Sequence, residues 1–279
     1  MPAPRIDAHQ HFWRYTAADY GWIDEPLASL RRDFLPVDAA IAMQAAGFTH
    51  CIAVQARQTL AETEWLLALA DEHPFIAGVV GWVDLQSIDV AEQLERFRGH
   101  PTLVGVRHVV QAEPDGFLSR PEFRRGISTI EHFGLAYDIL VYARQLPSAI
   151  DFAAAFPGVR FVLDHLGKPE MRSGGFDGWR RDLDRLAARP NVMAKLSGLV
   201  TEARRNTWTP AALRAYIDAA MDAFGADRLM IGSDWPVCTV AGAYRDVMDV
   251  VVTALDGRTA AERDAVLGGT ARRFWNLSL

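Results

Sequence analysis

Two histidines near the amino terminus are separated by one residue. His9 and His11 follow an apolar stretch at residues 5–8 that is predicted to be a strand. Because alternate residues of a strand share a face, both imidazoles can point toward one ion or one carbonyl oxygen. Two hydrogen-bonded strand histidines without a ligand would show the same spacing. The functional interpretation therefore depends on which other side chains reach that face.

A carboxylate follows the last predicted strand. Asp234 lies in the segment Gly-Ser-Asp-Trp-Pro at 232–236, directly after an apolar run. An aspartate at this position can bind a metal ion or remove a proton from water. Its structural alternative is to cap the helix that follows.

Asp164 and His165 end another apolar run, and Lys168 follows them in a segment of turn-forming residues. The structural alternative for this segment is an ordinary tight turn with a solvated lysine. If both runs end at the same rim, His165 and Asp234 join the two amino-terminal histidines. Three imidazoles and one carboxylate are a suitable ligand set for one divalent ion.

Several further side chains are candidates for contact with a substrate. Arg107 and His108 end a fourth apolar run, and because neighbouring strand residues face opposite ways, only one of them should reach a cavity. Lys168 is another candidate. Aromatic residues that could flank a pocket, although core packing explains them equally well, are Trp13, Tyr137 and Trp235.

The elements that must position these residues are eight apolar runs rich in β-branched residues, separated by segments of helical spacing. Helix starts are indicated by Thr59 and Thr259, each followed three residues later by a glutamate, and by Thr209 before a proline. The predicted strands cover residues 5–8, 50–55, 76–82, 103–108, 136–141, 160–164, 192–196 and 229–233.

Eight strands that alternate with helices predict a (β/α)₈ TIM barrel, in which reactive groups collect at the carboxyl ends of the strands. Many of the candidate residues lie at such ends. An open doubly wound sheet is the alternative, but it usually binds a nucleotide through a glycine-rich first turn, which this sequence lacks. Since no repeat or linker divides the chain, residues 1–279 are predicted to form a single barrel domain.

The composition limits the kinds of partner. The 279 residues include 35 acidic and 29 basic side chains, a net charge of −6, which gives no cationic surface for nucleic acid. Two cysteines are too few for a disulfide framework, no apolar run approaches the roughly 20 residues that span a bilayer, and the amino terminus lacks a secretory signal. We expect a cytoplasmic protein that binds a small molecule rather than nucleic acid or a membrane, and a homo-oligomer is compatible with this composition.

Three segments together resemble the amidohydrolase superfamily. The resemblance covers essentially the whole chain, including residues 267–275, and is strongest for the branch of sugar-lactone hydrolases that act on L-fucono- and L-rhamnonolactones. The segments, which also occur in the order typical of the superfamily, are Ile-Asp-Ala-His-Gln-His at 6–11, Leu-Asp-His-Leu-Gly-Lys-Pro at 163–169 and Gly-Ser-Asp-Trp-Pro at 232–236.

The resemblance implies a (β/α)₈ barrel in which Asp234 activates water for attack on an ester-like carbon. Members with two metal ions carry a bridging lysine after the fourth strand and a histidine in the fifth, where this chain has Arg107 and Tyr137. A two-metal site is therefore not expected, and the branch includes lactonases that work without metal. One divalent ion, with zinc as the first candidate, would be held by His9, His11, His165 and Asp234.

The expected reaction is the opening of an aldonolactone to its sugar acid, a step of carbohydrate metabolism. Asp234 would take a proton from water and return it to the leaving ring oxygen, while His9, His11, His165, Arg107 or a bound ion stabilises the oxyanion. The residues expected to recognise the sugar hydroxyls are Arg107, His108, Lys168, Tyr137 and the two tryptophans. The alternatives are a metal-dependent decarboxylase of the same superfamily and a non-catalytic barrel that binds a small ligand.

Overall fold

The computed structural model describes residues 3–204 and 207–279. Within these ranges, eight parallel strands form one sheet in which each strand pairs with the next along the chain. The strands are β1 (Ile6–Gln10), β2 (His50–Val54), β3 (Ile76–Gly81), β4 (Leu103–His108), β5 (Ala136–Ile139), β6 (Phe161–Leu163), β7 (Val192–Leu196) and β8 (Leu229–Ile231).

The sheet closes between its first and last strands. Gln10 forms a parallel bridge with Trp235, and the backbone N–H of His11 donates to the Trp235 carbonyl oxygen at 2.6 Å. The backbone N–H of Asp234 donates to the His9 carbonyl oxygen at 2.8 Å. A closed ring of eight parallel strands with helices between them is a (β/α)₈ barrel, so the predicted fold is confirmed.

The helices surround the ring and begin where the sequence indicates. The hydroxyls of Thr59, Thr209 and Thr259 each accept a backbone N–H three residues on, at 3.2–3.3 Å. The helices are α1 (Pro36–Ala45), α2 (Leu60–Glu72), α3 (Val90–Glu95), α4 (Pro121–His132), α5 (Leu146–Ala155), α6 (Phe176–Ala187), α7 (Leu199–Glu202), α8 (Pro210–Phe224), α9 (Tyr244–Ala254), α10 (Ala260–Asp264) and α11 (Thr270–Phe274).

None of the helices in the described part of the chain combines the length and the apolar character that crossing a membrane requires.

Two apolar layers hold the barrel together. The outer layer lies between the strands and the helices, and it includes the apolar face of α8 with Leu213, Ile217 and Phe224. The inner layer fills the barrel, and Phe274 and Trp275 of the carboxyl-terminal segment pack against it. The polar side chains at the carboxyl ends of the strands form a layer above this apolar interior. The apolar residues inside the barrel include Ile6, Ala8, Ile52, Val54, Val80, Val104 and Val162.

Five strands end earlier than the sequence predicts. The observed ends of β2, β3, β5, β6 and β8 are Val54, Gly81, Ile139, Leu163 and Ile231, whereas the predicted runs continue to residues 55, 82, 141, 164 and 233. After β6 and β8 the backbone turns out of the sheet, because His165 and Asp234 adopt left-handed conformations with φ of 53° and 59°. These turns begin the loops that form the site.

One helix approaches a loop too closely for any side chain. Gly126 of α4 packs on the backbone of Leu85, in the loop that follows β3, and a β-carbon added to Gly126 would stand 2.1 Å from the Leu85 carbonyl oxygen. Gly178 of α6 is in a different position, since its nearest neighbour is the flexible end of Arg181 at 3.9 Å.

We expect Gly126→Ala to lower the free energy of unfolding by about 1–3 kcal/mol, because the added methyl group forces α4 away from Leu85. Gly178→Ala is the matched control, and it should leave stability unchanged or raise it by about 0.5–1 kcal/mol, since alanine is the better helix former. Urea unfolding of both variants checks this. Equal effects of the two substitutions would contradict the close approach of α4.

Candidate active site

Side chains from the carboxyl ends of β1, β6 and β8 meet at one opening of the barrel. Asp234 Oδ1 lies 3.2 Å from His11 Nε2, 3.8 Å from His9 Nε2 and 3.9 Å from His165 Nε2. The Nε2 atoms of His9 and His11 are 3.2 Å apart. All four side chains are buried. We refer to His9, His11, His165 and Asp234 as the histidine–aspartate cluster.

An irregularity in β1 directs His9, and His11 just after the strand, to the same side. The pairing with β2 shifts register between Asp7 and Gln10. Ala8 packs in the inner apolar layer, while the Gln10 amide donates to Met43 Sδ on the helix side. Bulges of this kind redirect side chains next to active sites. His9 and His11 consequently approach each other, with Nε2 atoms 3.2 Å apart, and Gln10 between them points outward.

Asp7 fixes the junction of β1 and β8 from the helix side. Its carboxylate accepts the backbone N–H groups of His9 at 3.1 Å and Ser233 at 2.9 Å. It also accepts the Ser233 hydroxyl at 2.6 Å and the Tyr244 hydroxyl at 3.1 Å. Burial raises the pKa of Asp7 to about 6 against the effect of these bonds. Asp7 therefore positions the backbone of the cluster without reaching the cavity.

The Nδ1 atoms of His11 and His165 are hydrogen-bonded to groups outside the cluster. His11 Nδ1 is 2.7 Å from the Val54 carbonyl oxygen, which can only accept, so the ring proton is on Nδ1 and the lone pair on Nε2. His165 Nδ1 bonds to the Ser197 hydroxyl at 2.8 Å. Burial lowers the pKa of His165 to about 4 and that of His9 well below its usual value, so both rings are neutral near pH 7.

Asp234 is the charged member of the cluster. Burial by itself would raise the pKa of its carboxyl group, but His165, His11 and His9 outweigh this effect and hold the pKa well below its usual range. The Asp234 carboxylate and the Nε2 atoms of three histidines thus converge on one point. Such a set of lone pairs is stabilised by a cation.

The cluster fits a zinc ion. Ligand atoms of His9, His11 and Asp234 lie within 4.8 Å of one another, and the same holds for His9, Asp164 and His165. Tetrahedral zinc with bonds of 2.0–2.1 Å places its ligand atoms roughly 3.3–3.4 Å apart, close to the 3.2 Å separations at His11 Nε2. Asp164 is already paired with two cations, so the set with Asp234 fits better.

A chain of buried ion pairs lies beneath the cluster. Lys195 Nζ contacts Asp138 Oδ2 and lies 2.9 Å from Asp164 Oδ1, and Arg107 Nη1 lies 3.0 Å from Asp164 Oδ2. Burial would raise the pKa of Asp164, but Lys195, His9 and Arg107 hold it well below its usual range. Burial raises the pKa of Asp138 to about 6 against the opposing effect of Lys195. The four alternating charges compensate one another inside the barrel.

A cavity of about 590 Å³ opens above the cluster. The residues that line it include His11, Arg107, His165, Lys168 and Asp234. Cavity-lining polar and aromatic residues that the sequence did not point to are Asp19, Trp22, Arg57, Gln58 and Gln111. They lie on loops after β1, β2 and β4, where no local motif marks them.

Four residues predicted to contact a substrate lie outside the cavity, so that prediction is corrected. His108 points toward the helices, where it stacks on Phe117 with ring centres 4.8 Å apart and bonds to Glu113 at 2.8 Å. Strand alternation explains this, since Arg107 faces inward. The other three are fully or almost fully buried in the outer apolar layer and are Trp13, Tyr137 and Trp235.

The family follows from comparison with known sequences. The sequence profile of the amidohydrolase family matches residues 6–277. The chain belongs to the amidohydrolase family.

Named relatives and a solved structure are similar over nearly the full length. The L-fucono-1,5-lactonase of Burkholderia multivorans is 45% identical over 289 residues, covering 99% of this chain and 97% of that protein. The L-fucono-1,5-lactonase of Burkholderia ambifaria is 40% identical, covering 87% and 83%. A crystal structure of a Burkholderia multivorans amidohydrolase with bound zinc superposes with a TM-score of 0.95 at 45% identity, covering 99% of this chain and 100% of that one.

We expect this amidohydrolase to bind one zinc ion per chain, and His11→Ala to weaken that binding by more than about 100-fold. Loss of a residue that only orients a metal ligand lowers metal affinity about 10–100-fold, and His11 supplies the ligand atom itself, so the effect should be larger. Competition with a chromogenic chelator measures the affinity. His132→Ala, at the exposed end of α4, is the control and should bind as the unaltered protein does. Unchanged affinity in His11→Ala would exclude His11 as a ligand.

Glu62 of α2 holds the loop that carries Arg57 and Gln58. Its Oε2 accepts the backbone N–H groups of Ala56, at 3.2 Å, and of Arg57. Burial raises the pKa of Glu62 from 4.5 to about 7 despite these bonds. The unfolded chain therefore releases this proton at lower pH than the folded protein, and stability falls as the pH rises through this window.

The glutamine side chain of Glu62→Gln is neutral at every pH, so this variant should not lose stability as the pH rises. Relative to the unaltered protein, it should gain about 3 kcal/mol of unfolding free energy between pH 4.5 and pH 8, as the pKa difference implies. Urea unfolding at both pH values measures the gain. Glu72→Gln at the exposed end of the same helix should show no such gain, and a pH-independent difference for Glu62→Gln would contradict the raised pKa.

Proposed function

We propose that this amidohydrolase opens an aldonolactone to its sugar acid, with an L-fucono-1,5-lactone as the first substrate to test. The observation that carries the proposal is the histidine–aspartate cluster at the floor of a cavity, in a chain 45% identical to an L-fucono-1,5-lactonase over nearly its full length. An ester carbonyl needs an activated water, a stabilised oxyanion and a proton for its leaving oxygen.

Asp234 supplies the base and later the acid. Its low pKa keeps it ionised at neutral pH, and Oδ1 lies at the floor of the cavity. As the water oxygen bonds to the lactone carbonyl carbon, the water proton moves to Asp234. When the ring carbon–oxygen bond breaks, Asp234 gives this proton to the departing ring oxygen, which becomes the new hydroxyl group.

A weak base is sufficient only if positive charge assists the attack. The guanidinium of Arg107 is held by Asp164 at 3.0 Å and lines the same cavity wall. It attracts the negative charge that develops on the carbonyl oxygen, and the low dielectric of the buried site strengthens the attraction. A zinc ion held by His9, His11, His165 and Asp234 would polarise the carbonyl and lower the pKa of water.

Polar groups around the cavity mouth suit a ligand rich in hydroxyls. Arg57 Nη1 lies 2.6 Å from Asp19 Oδ1. The side-chain oxygen Oε1 of Gln58 accepts the backbone N–H of Val109 at 2.7 Å, which leaves the side-chain NH₂ group of Gln58 for other partners. Trp22 lines the same mouth with 42% of its surface exposed. We assign sugar recognition to Lys168, Gln58 and these loop residues.

The two alternatives have less support. A decarboxylase would use the same rim, but the full-length relatives above are lactonases by name. A barrel that only binds its ligand would not need a buried carboxylate held ionised beside three histidines. The cytoplasmic location and the oligomeric state stay predictions.

Asp234→Asn should lower kcat/KM for L-fucono-1,5-lactone by about 10²-fold or more, because the amide cannot accept the water proton. A pH-indicator assay of acid release measures the rate, and circular dichroism verifies folding. Asp151→Asn, an exposed aspartate of α5, is the matched control and should retain full turnover. Near-normal turnover in Asp234→Asn would remove Asp234 from this role.

A further inference from the structure

Arg107 bonds to the atom of His9 that a metal ion would use. Its Nη1 lies 3.2 Å from His9 Nε2 and 3.0 Å from Asp164 Oδ2, and its Nη2 donates to the Gln55 carbonyl oxygen. The guanidinium can only donate, so His9 Nε2 must accept. The ring proton of His9 is then on Nδ1, which lies 3.2 Å from Asp164 Oδ1 and 3.2 Å from Lys195 Nζ. Asp164 accepts this proton, while the Lys195 ammonium donates to Asp138 and Asp164.

Within the described chain, no other Nε2 atom of the cluster accepts a hydrogen bond from a cationic side chain. His11 Nε2 and His165 Nε2 face Asp234 Oδ1, at 3.2 and 3.9 Å, and their Nδ1 atoms bond to Val54 and Ser197. Arg107 is held in place from two further sides by Asp164 and Gln55 and is almost fully buried. The guanidinium is thus a fixed positive charge beside the His9 lone pair.

We propose that Arg107 is a resident cation that competes with a divalent metal ion for His9. Without metal, the guanidinium stabilises the converging lone pairs and faces the substrate cavity as the positive charge of the site. With metal, His9 Nε2 bonds to the ion, and Arg107 keeps only Asp164 and Gln55 as partners while repelling the ion. Arg107 therefore sets a weak metal affinity and maintains a metal-free active state.

The proposal predicts that one substitution changes metal binding and catalysis in opposite directions. Arg107→Gln removes the competing charge, so zinc should bind at least tenfold more tightly than in the unaltered protein. The same variant, freed of metal, should open L-fucono-1,5-lactone about 10²-fold more slowly or worse. A purely structural role for Arg107 would weaken both properties, because the cluster would lose its geometry.

Two variants separate competition at His9 from the general field of the cavity. Arg107→Lys keeps the charge, so its zinc affinity should stay within threefold of the unaltered protein. Lys168→Gln removes another cation that lines the same cavity but contacts Glu202 and not His9, and it should also change zinc affinity by less than threefold. Zinc affinity is measured by competition with a chromogenic chelator, and circular dichroism confirms that each variant is folded.

A less than tenfold gain in Arg107→Gln, or an equal gain in Lys168→Gln, overturns the proposal. If Arg107→Gln fails to fold, ¹⁵N-histidine NMR of the metal-free unaltered protein decides, with the His9 signals assigned by their loss in His9→Gln. The proposal requires a proton on Nδ1 and none on Nε2, and the reverse overturns it. The zinc measurements do not depend on the proposed function, so absence of lactone opening would refute that function alone.

Discussion

Closure of the barrel between β1 and β8 is the constraint on which the site depends. The hydrogen bond from the Asp234 N–H to the His9 carbonyl oxygen joins two residues that are far apart in sequence. Asp7 reinforces this junction by accepting hydrogen bonds from both strand ends. Because the junction is formed by the backbone, His9, His11 and the carboxylate after β8 are adjacent before any ligand arrives.

Charge balance is the second condition for a cluster so deeply buried. The site holds the ionised side chains of Asp164 and Asp234, and the positive charges of Lys195 and Arg107 lie beneath and beside them. Each unpaired charge in such an interior would be costly, whereas an alternating chain of opposite charges is tolerated. Burial keeps His9 and His165 neutral, and metal binding requires neutral imidazoles.

The sequence predicted the barrel and the members of the cluster because both leave local signals. Many of the apolar runs end in a polar residue that could take part in chemistry, and parallel strands bring such ends to one rim. The inward direction of Arg107 and the outward direction of His108 could not be chosen beforehand, since alternation fixes only that the two differ. Lys195 and Asp138 are charged residues inside apolar runs of the sequence, and this pattern indicates that they form buried ion pairs.

The cavity mouth could not be predicted in the same way. Trp22, Arg57 and Gln111 lie on loops whose positions depend on contacts between distant segments, such as the pairing of Arg57 with Asp19. Core and pocket aromatic residues could not be told apart for a related reason, because burial in the outer layer and contact with a ligand require the same residue types. Trp13 and Trp235 are consequently core residues, while the exposed Trp22 lines the mouth.

The central claim is that the histidine–aspartate cluster delivers water to the carbonyl carbon of a lactone. Opening of L-fucono-1,5-lactone in H₂¹⁸O, under single-turnover conditions with the product analysed by mass spectrometry, tests it most directly. The account predicts opening far faster than in buffer alone, with one ¹⁸O atom in the carboxylate of the product. Opening no faster than in buffer, or label in the ring-derived hydroxyl group, would contradict it.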